Sequence, residues 1–160
     1  MKIRLLSVIV ILISTFAAFP TYASDDYENT EKRYSCHRGH SPAEIQDYKD
    51  IVITPVNKKP LSAEQVRQAI AQAARKNKWI ITETANEKAG GQIEASLLVR
   101  NKHTAVVEIP YTAEKYSILY KNSVNMNYAS CNNTRYIHRN YNVWVNRLQS
   151  AIAAELDAIK

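Results

Sequence analysis

Between Gln92 and Tyr120 the chain places an apolar side chain at every second position through three consecutive runs. Ile93, Ala95, Leu97 and Val99 form the first, Ala105, Val107 and Ile109 the second, and Tyr116, Ile118 and Tyr120 the third. A period of two puts these residues on one face of a pleated strand and their neighbours on the other. The connections are short, beginning with "NKHT", so adjacent runs must pair antiparallel. "WIITET" (Trp79 to Thr84) precedes them across the turn cluster "NEKAGG" and completes a four-stranded meander. A sheet with one apolar face needs a second layer to cover it.

Two helical patterns can supply that layer. Ser62 is a good N-cap, with Gln65 at the capping-box position and Glu64 in the first turn. Val66, Ile70, Ala73 and Ala74 follow at helical spacing, and "RKNK" sets positive charge against the C-terminal end of the dipole. From Tyr136 onward Ile137, Tyr141, Trp144, Val145, Leu148, Ile152, Leu156 and Ile159 fall within a sector of roughly 120°. Val143 points out of that stripe and Glu155 into it. "DIVITPV" (Asp50 to Val56) adds one β-rich run, with Pro55 marking an edge or a strand end. The expected fold is α+β: an antiparallel sheet, the meander plus one N-terminal strand, covered on one face by two helices in the order β-α-β-β-β-β-α.

The first residues predict a destination. Lys2 and Arg4 precede a fifteen-residue apolar run, Leu5 to Phe19, which Pro20 breaks before small residues at Thr21 and Ala23. That order is a cleavable secretory signal over residues 1–23, and the run is shorter than the ~20 residues a membrane-spanning helix needs. A polar arm over 24–49 and a single domain over 50–160 would follow. With no cysteine directly after the apolar run, the mature chain reads as soluble, in a periplasm or outside the cell. Formal net charge falls from +6 to +4 when Lys2 and Arg4 leave. That mild positive charge suits an anionic surface such as lipid headgroups or polysaccharide. Lys58 and Lys59 stand at the opposite end of a helix of about 22 Å from Arg75, Lys76 and Lys78, which argues against a nucleic-acid groove.

Two cysteines, Cys36 and Cys131, survive cleavage, and an even pair in an exported chain reads as one disulfide. It would close a loop of about 95 residues, worth roughly 4–5 kcal/mol on the chain-entropy model.

"WII", "GGQIEASLLVR", "HTAVVEI", "YSILYKNSVNMNY" and "IHRNYNVWVNRL" resemble a family of small exported proteobacterial proteins, many classed as lipoproteins, with no assigned activity. The resemblance spans roughly Trp79 to Ile152. It implies an exported α+β module and brings no catalytic residues. This chain lacks the junction cysteine of the lipoprotein members, so lipidation does not carry over.

Chemistry is sparse. "CHRGH" offers His37 and His40 as metal ligands, but an oxidised Cys36 cannot add a thiolate. His103 falls in a turn and His138 at the edge of the final helix's stripe. Glu94 and Glu108 lie on the polar strand faces, where neighbouring carboxylates would suit a hydrolase and a solvated sheet face gives the same pattern. There is no nucleophile elbow, zincin or phosphate-loop motif. The positive signal is a Tyr/Asn-rich stretch, in which Tyr120, Tyr128, Asn132 and Tyr136 are the expected binding residues. The functional expectation is a non-enzymatic envelope binding or accessory protein without cofactor, whose partner is an envelope protein or glycan. A metal-handling protein using His37 and His40, and a hydrolase using sheet-face carboxylates, are the alternatives.

Overall fold

The structure, a computed structural model, describes residues 42–57, 59–87 and 89–159. Among the described residues, eight strands and two helices follow one another as β1 (Pro42–Glu44), β2 (Tyr48–Val52), α1 (Ala63–Lys76), β3 (Ile80–Glu87), β4 (Gly90–Val99), β5 (His103–Thr112), β6 (Lys115–Val124), β7 (Ala129–Cys131), β8 (Thr134–His138) and α2 (Asn140–Asp157). The main sheet is antiparallel throughout, in the order β2-β6-β5-β4-β3.

Alternation decides its inner face. Ile93, Ala95 and Leu97 of β4, Ala105, Val107, Ile109 and Tyr111 of β5, and Tyr116 and Ile118 of β6 are all buried. They form one core with Val66, Ile70, Ala73 and Ala74 of α1 and with Tyr141, Val145, Leu148, Ile152 and Leu156 of α2. The fold is α+β, with both helices on this face.

Local chemistry fixes the ends. The Ser62 hydroxyl accepts from the Gln65 N–H at 3.1 Å, and the Gln65 side chain accepts from the Ser62 N–H at 2.9 Å, a complete capping box. Glu155, which the helical stripe turned inward, is neutralised by Lys76 at 2.6 Å. Arg100 and Asn101 join β4 to β5 with φ of 53° and 50°, while the Lys102 N–H closes the turn on the Val99 carbonyl at 3.1 Å. Two consecutive left-handed residues twist a hairpin the same way as its strands.

Three strands lie outside the expected order. β1, β8 and β7 make a second antiparallel sheet, with Ala43 opposite Ile137 and Ser130 opposite Arg135. The final helix therefore starts at Asn140 rather than Tyr136, and His138 is a strand residue. Ile137 fitted the helical stripe because it is fully buried, but it reaches the core from β8. The His138 ring accepts from the Asn140 N–H at 3.2 Å and so serves the start of α2. Asn132 and Asn133, at φ 49° and 62°, form the two-residue β7–β8 turn. That dipeptide is a hairpin signal of the left-handed kind.

The segment read as the end of a polar arm is also folded from Pro42. Ile45 is buried and its N–H donates to the Arg135 carbonyl at 2.8 Å. β2 stops at Val52, before Pro55, and carries a register shift at Asp50, whose φ is 49°.

Candidate functional site

The two sheets meet where β6 turns into β7. Asn125 and Asn127 bend this corner with φ of 56° and 51°, Met126 plugs the core, and its carbonyl accepts from the His138 N–H at 2.8 Å. His103 accompanies the corner, with Nδ1 2.7 Å from the Asn125 carbonyl and its ring centroid 6.3 Å from that of His138. Both histidines have structural work here. No group of three metal-ligating side chains exists among the described residues.

The turn brings Tyr128 onto Tyr120. Their rings are parallel within 2° at 5.0 Å, and Tyr141 of α2 meets Tyr120 edge-on at 5.6 Å and 70°. Parallel and edge contacts of this kind add about 0.5–1.5 kcal/mol each beyond the area buried. The Arg135 guanidinium lies 5.8 Å from the Tyr120 centroid. Tyr128 is the outer ring, 45% exposed, and Tyr141 the inner one, fully buried.

An ion pair holds this cluster in place. Arg135 bonds one Asp47 oxygen, while the other accepts from the Tyr120 backbone N–H at 2.9 Å. The Asp47 side chain is only 9% exposed and that of Arg135 36%. A carboxylate so far from water needs both partners. The Tyr141 hydroxyl finds no hydrogen-bond partner among the described residues. Burial drives its phenol well above the usual 10.0, and the negative charge of Asp47 adds to the rise. Burial also raises Tyr120, opposed by its hydrogen bond with Ser123.

Asn142 of α2 locks the segment that carries Asp47. Its amide donates to the Glu44 carbonyl at 2.7 Å and accepts from the Gln46 N–H at 3.2 Å. Asn146, one turn on, donates to the Tyr48 hydroxyl at 2.9 Å. Beside this segment a concavity of about 510 Å³ opens between Gln46, Asp47 and Lys49 on one side and Asn133, Thr134 and Arg135 on the other.

Of the four expected binding residues, Tyr120 and Tyr128 are brought into contact. Asn132 occupies the tip of the β7–β8 hairpin. Tyr136 lies between Glu44 and Ala129 in the small sheet, one residue from Arg135, and so on the opposite face from it. Asp47, Arg135 and Asn142 were not among the expected residues. Their partners lie 73 to 98 positions away, and no local spacing announces them. Cys131 is paired in register with Thr134 and is not a free thiol. Cys36, His37 and His40 lie outside the described residues.

Glu94 and Glu108 are register partners on the outer face of the main sheet. Lys121 bridges them, with Nζ 2.7 Å from one carboxylate and 2.8 Å from the other. Bonds first to Glu108 and then to Glu94 push the lysine up to about 12. A single cation shared by two carboxylates is a stable surface network.

The molecule is thus a small α+β domain with an aromatic stack and an ion pair where the three-stranded sheet meets the main sheet. No family model matches the chain, and no curated protein and no solved structure matches it.

Proposed function

We propose that this is an exported, non-enzymatic binding or accessory protein of the cell envelope, with the Tyr120–Tyr128 stack at the centre of its contact surface. The observation that carries the reading is a ring left 45% exposed on a rigid support, because Tyr128 lies flat on Tyr120, itself braced by Tyr141 and Asp47. A rigid aromatic offers contact area at little entropic cost, which is what recognition surfaces favour. The adjacent concavity adds amide, hydroxyl and guanidinium donors from Gln46, Asn133, Thr134 and Arg135. An envelope protein or a glycan would use both. Export rests on the leader-like residues 1–23. No helix among the described residues is long and apolar enough to cross a membrane.

Affinity capture from envelope extract tests the reading. Tyr128→Ala removes the exposed ring and its contact with Tyr120 but leaves the buried rings in place, so capture should fall about tenfold or more while the domain stays folded with its melting midpoint lowered by only a few degrees. Tyr120→Phe serves as a control that removes only the hydroxyl bonded to Ser123. Undiminished capture by Tyr128→Ala would remove the aromatic surface from the proposal.

A further inference from the structure

The outer face of the main sheet is not uniformly polar. Two adjacent rows at one end of it carry apolar side chains between small polar ones. Ile80, Ser96, Val106 and Asn122 are register partners across four strands, and Leu98, Thr104 and Val124 form the next row. Ile80, Leu98 and Val124 are 69%, 54% and 52% exposed, so three of the large exposed apolar side chains share this one end. Four strands span roughly 15 Å, a flat band rather than a pocket.

Cations rim the same end. Arg100 and Lys102 lie in the β4–β5 turn, just beyond Leu98, and Lys78 lies two residues before Ile80, the first residue of β3. All three are exposed, and none makes an ion pair among the described residues. The next row away from the tip holds Glu94 and Glu108, whose charge is partly compensated by Lys121. The positive potential therefore concentrates at the tip, beside the apolar band.

From this juxtaposition we infer that the Lys78/Arg100/Lys102 end of the sheet docks on an anionic lipid surface. The apolar band of Ile80, Leu98 and Val124 then rests among the headgroups. A bilayer interface is the occupant that matches both halves: an extended plane of negative charge with apolar material just beneath. Long basic side chains reach phosphates while their stems lie along the apolar band. The contact is peripheral and salt-sensitive, and it does not depend on the aromatic surface around Tyr128.

Co-sedimentation with phosphatidylglycerol/phosphatidylethanolamine vesicles, against pure phosphatidylcholine vesicles, tests it. The protein is made with its own leader, and parent and variants are compared in the same form, so any contribution of residues 1–41 is common to all. Lys78→Asn/Arg100→Asn/Lys102→Gln respects the left-handed backbone at positions 78 and 100. It should weaken partition onto the anionic vesicles about a hundredfold at low salt. Leu98→Thr/Val124→Thr, on exposed strand positions, should weaken it about tenfold with an unchanged melting midpoint. Raising the salt should release the parent. The inference is overturned by equal binding to both vesicle types, by no binding, or by cation variants that bind like the parent. It is also overturned by a concentration-dependent dimer that the Leu98/Val124 variant dissociates, since a second copy would then cover the band.

Discussion

The Asp47 carboxylate accepts a hydrogen bond from the backbone N–H of Tyr120, 73 positions along the chain, at 2.9 Å. One side chain thereby fastens the loop between β1 and β2 to the middle of β6. Arg135 completes the tie from β8. This single, nearly buried anion thus links the loop before β2, the strand that carries Tyr120 and the small sheet, and it lines the concavity.

Removing Asp47 should therefore be costly. Asp47→Ala leaves the Tyr120 N–H without its acceptor and Arg135 without its counter-charge, and should destabilise by about 2–3 kcal/mol in urea unfolding. Asp47→Asn keeps one acceptor and should cost less. A loss below about 0.5 kcal/mol for the alanine variant would show that the tie is dispensable.

Asn142 should matter more than its neighbours on the polar side of α2. It serves both a carbonyl and an N–H of residues 44–46. Asn142→Ala should cost about 1–2 kcal/mol and speed hydrogen exchange at Ile45 and Gln46. Exchange there at the parent's rate would assign the anchoring of this segment to other contacts.

Gly90 opens β4 directly against β5. A Cβ at this position would stand 2.3 Å from the Tyr111 carbonyl oxygen, and that backbone cannot withdraw without disturbing the strand pairing. Gly90→Ala should lower stability by about 1–3 kcal/mol in thermal or urea unfolding. A variant as stable as the parent would show that the two strands can part locally at no cost.

Alkaline pH should unfold the protein through its tyrosines. Burial raises the phenols of Tyr116, Tyr120 and above all Tyr141 over their usual 10.0. A raised folded-state value favours the neutral phenol, so this stabilisation is complete below pH 10.0 and is lost as pH climbs above it. Tyr141→Phe should be neutral to about 1 kcal/mol stabilising at pH 7, since the hydroxyl has no partner among the described residues. It should also retain more of its stability above pH 10 than the parent. Identical alkaline profiles for parent and variant would exclude Tyr141 as the main titrating group.

Cys131 and Cys36 are proposed as one disulfide, which would bring the stretch around His37 and His40 to the β7–β8 hairpin. Peptide mapping under non-reducing conditions should yield a single cross-linked pair, and reduction should lower the melting temperature. Two alkylatable thiols in the unreduced protein would refute the pairing.

β4, β5, β6, α1 and most of α2 were legible because each is amphipathic over ten or more residues, long enough for its period to stand out. The Ser62/Gln65 capping box reads from four adjacent residues and is present. The small sheet was not legible. Its strands have three to five residues, too few to show a period, and Ile137 satisfies a helical stripe and a strand equally well. The paired left-handed Asn132 and Asn133 were the one local sign of it. Tyrosine clustering located Tyr120 and Tyr128, but spacing could not separate them from Tyr136, which strand alternation sends to the other face.

The sequence by itself determined the α+β class, the buried face of the meander and the helix that Ser62 starts, because those follow from interactions within a few residues. Only the tertiary structure decided which polar residues act together. Asp47, Tyr120, Arg135 and Asn142 come from four separate elements, and their hydrogen bonds span 73 to 98 residues. A contact of that kind exists only once the sheets have packed, since chain folding, not composition, sets the distances between its partners.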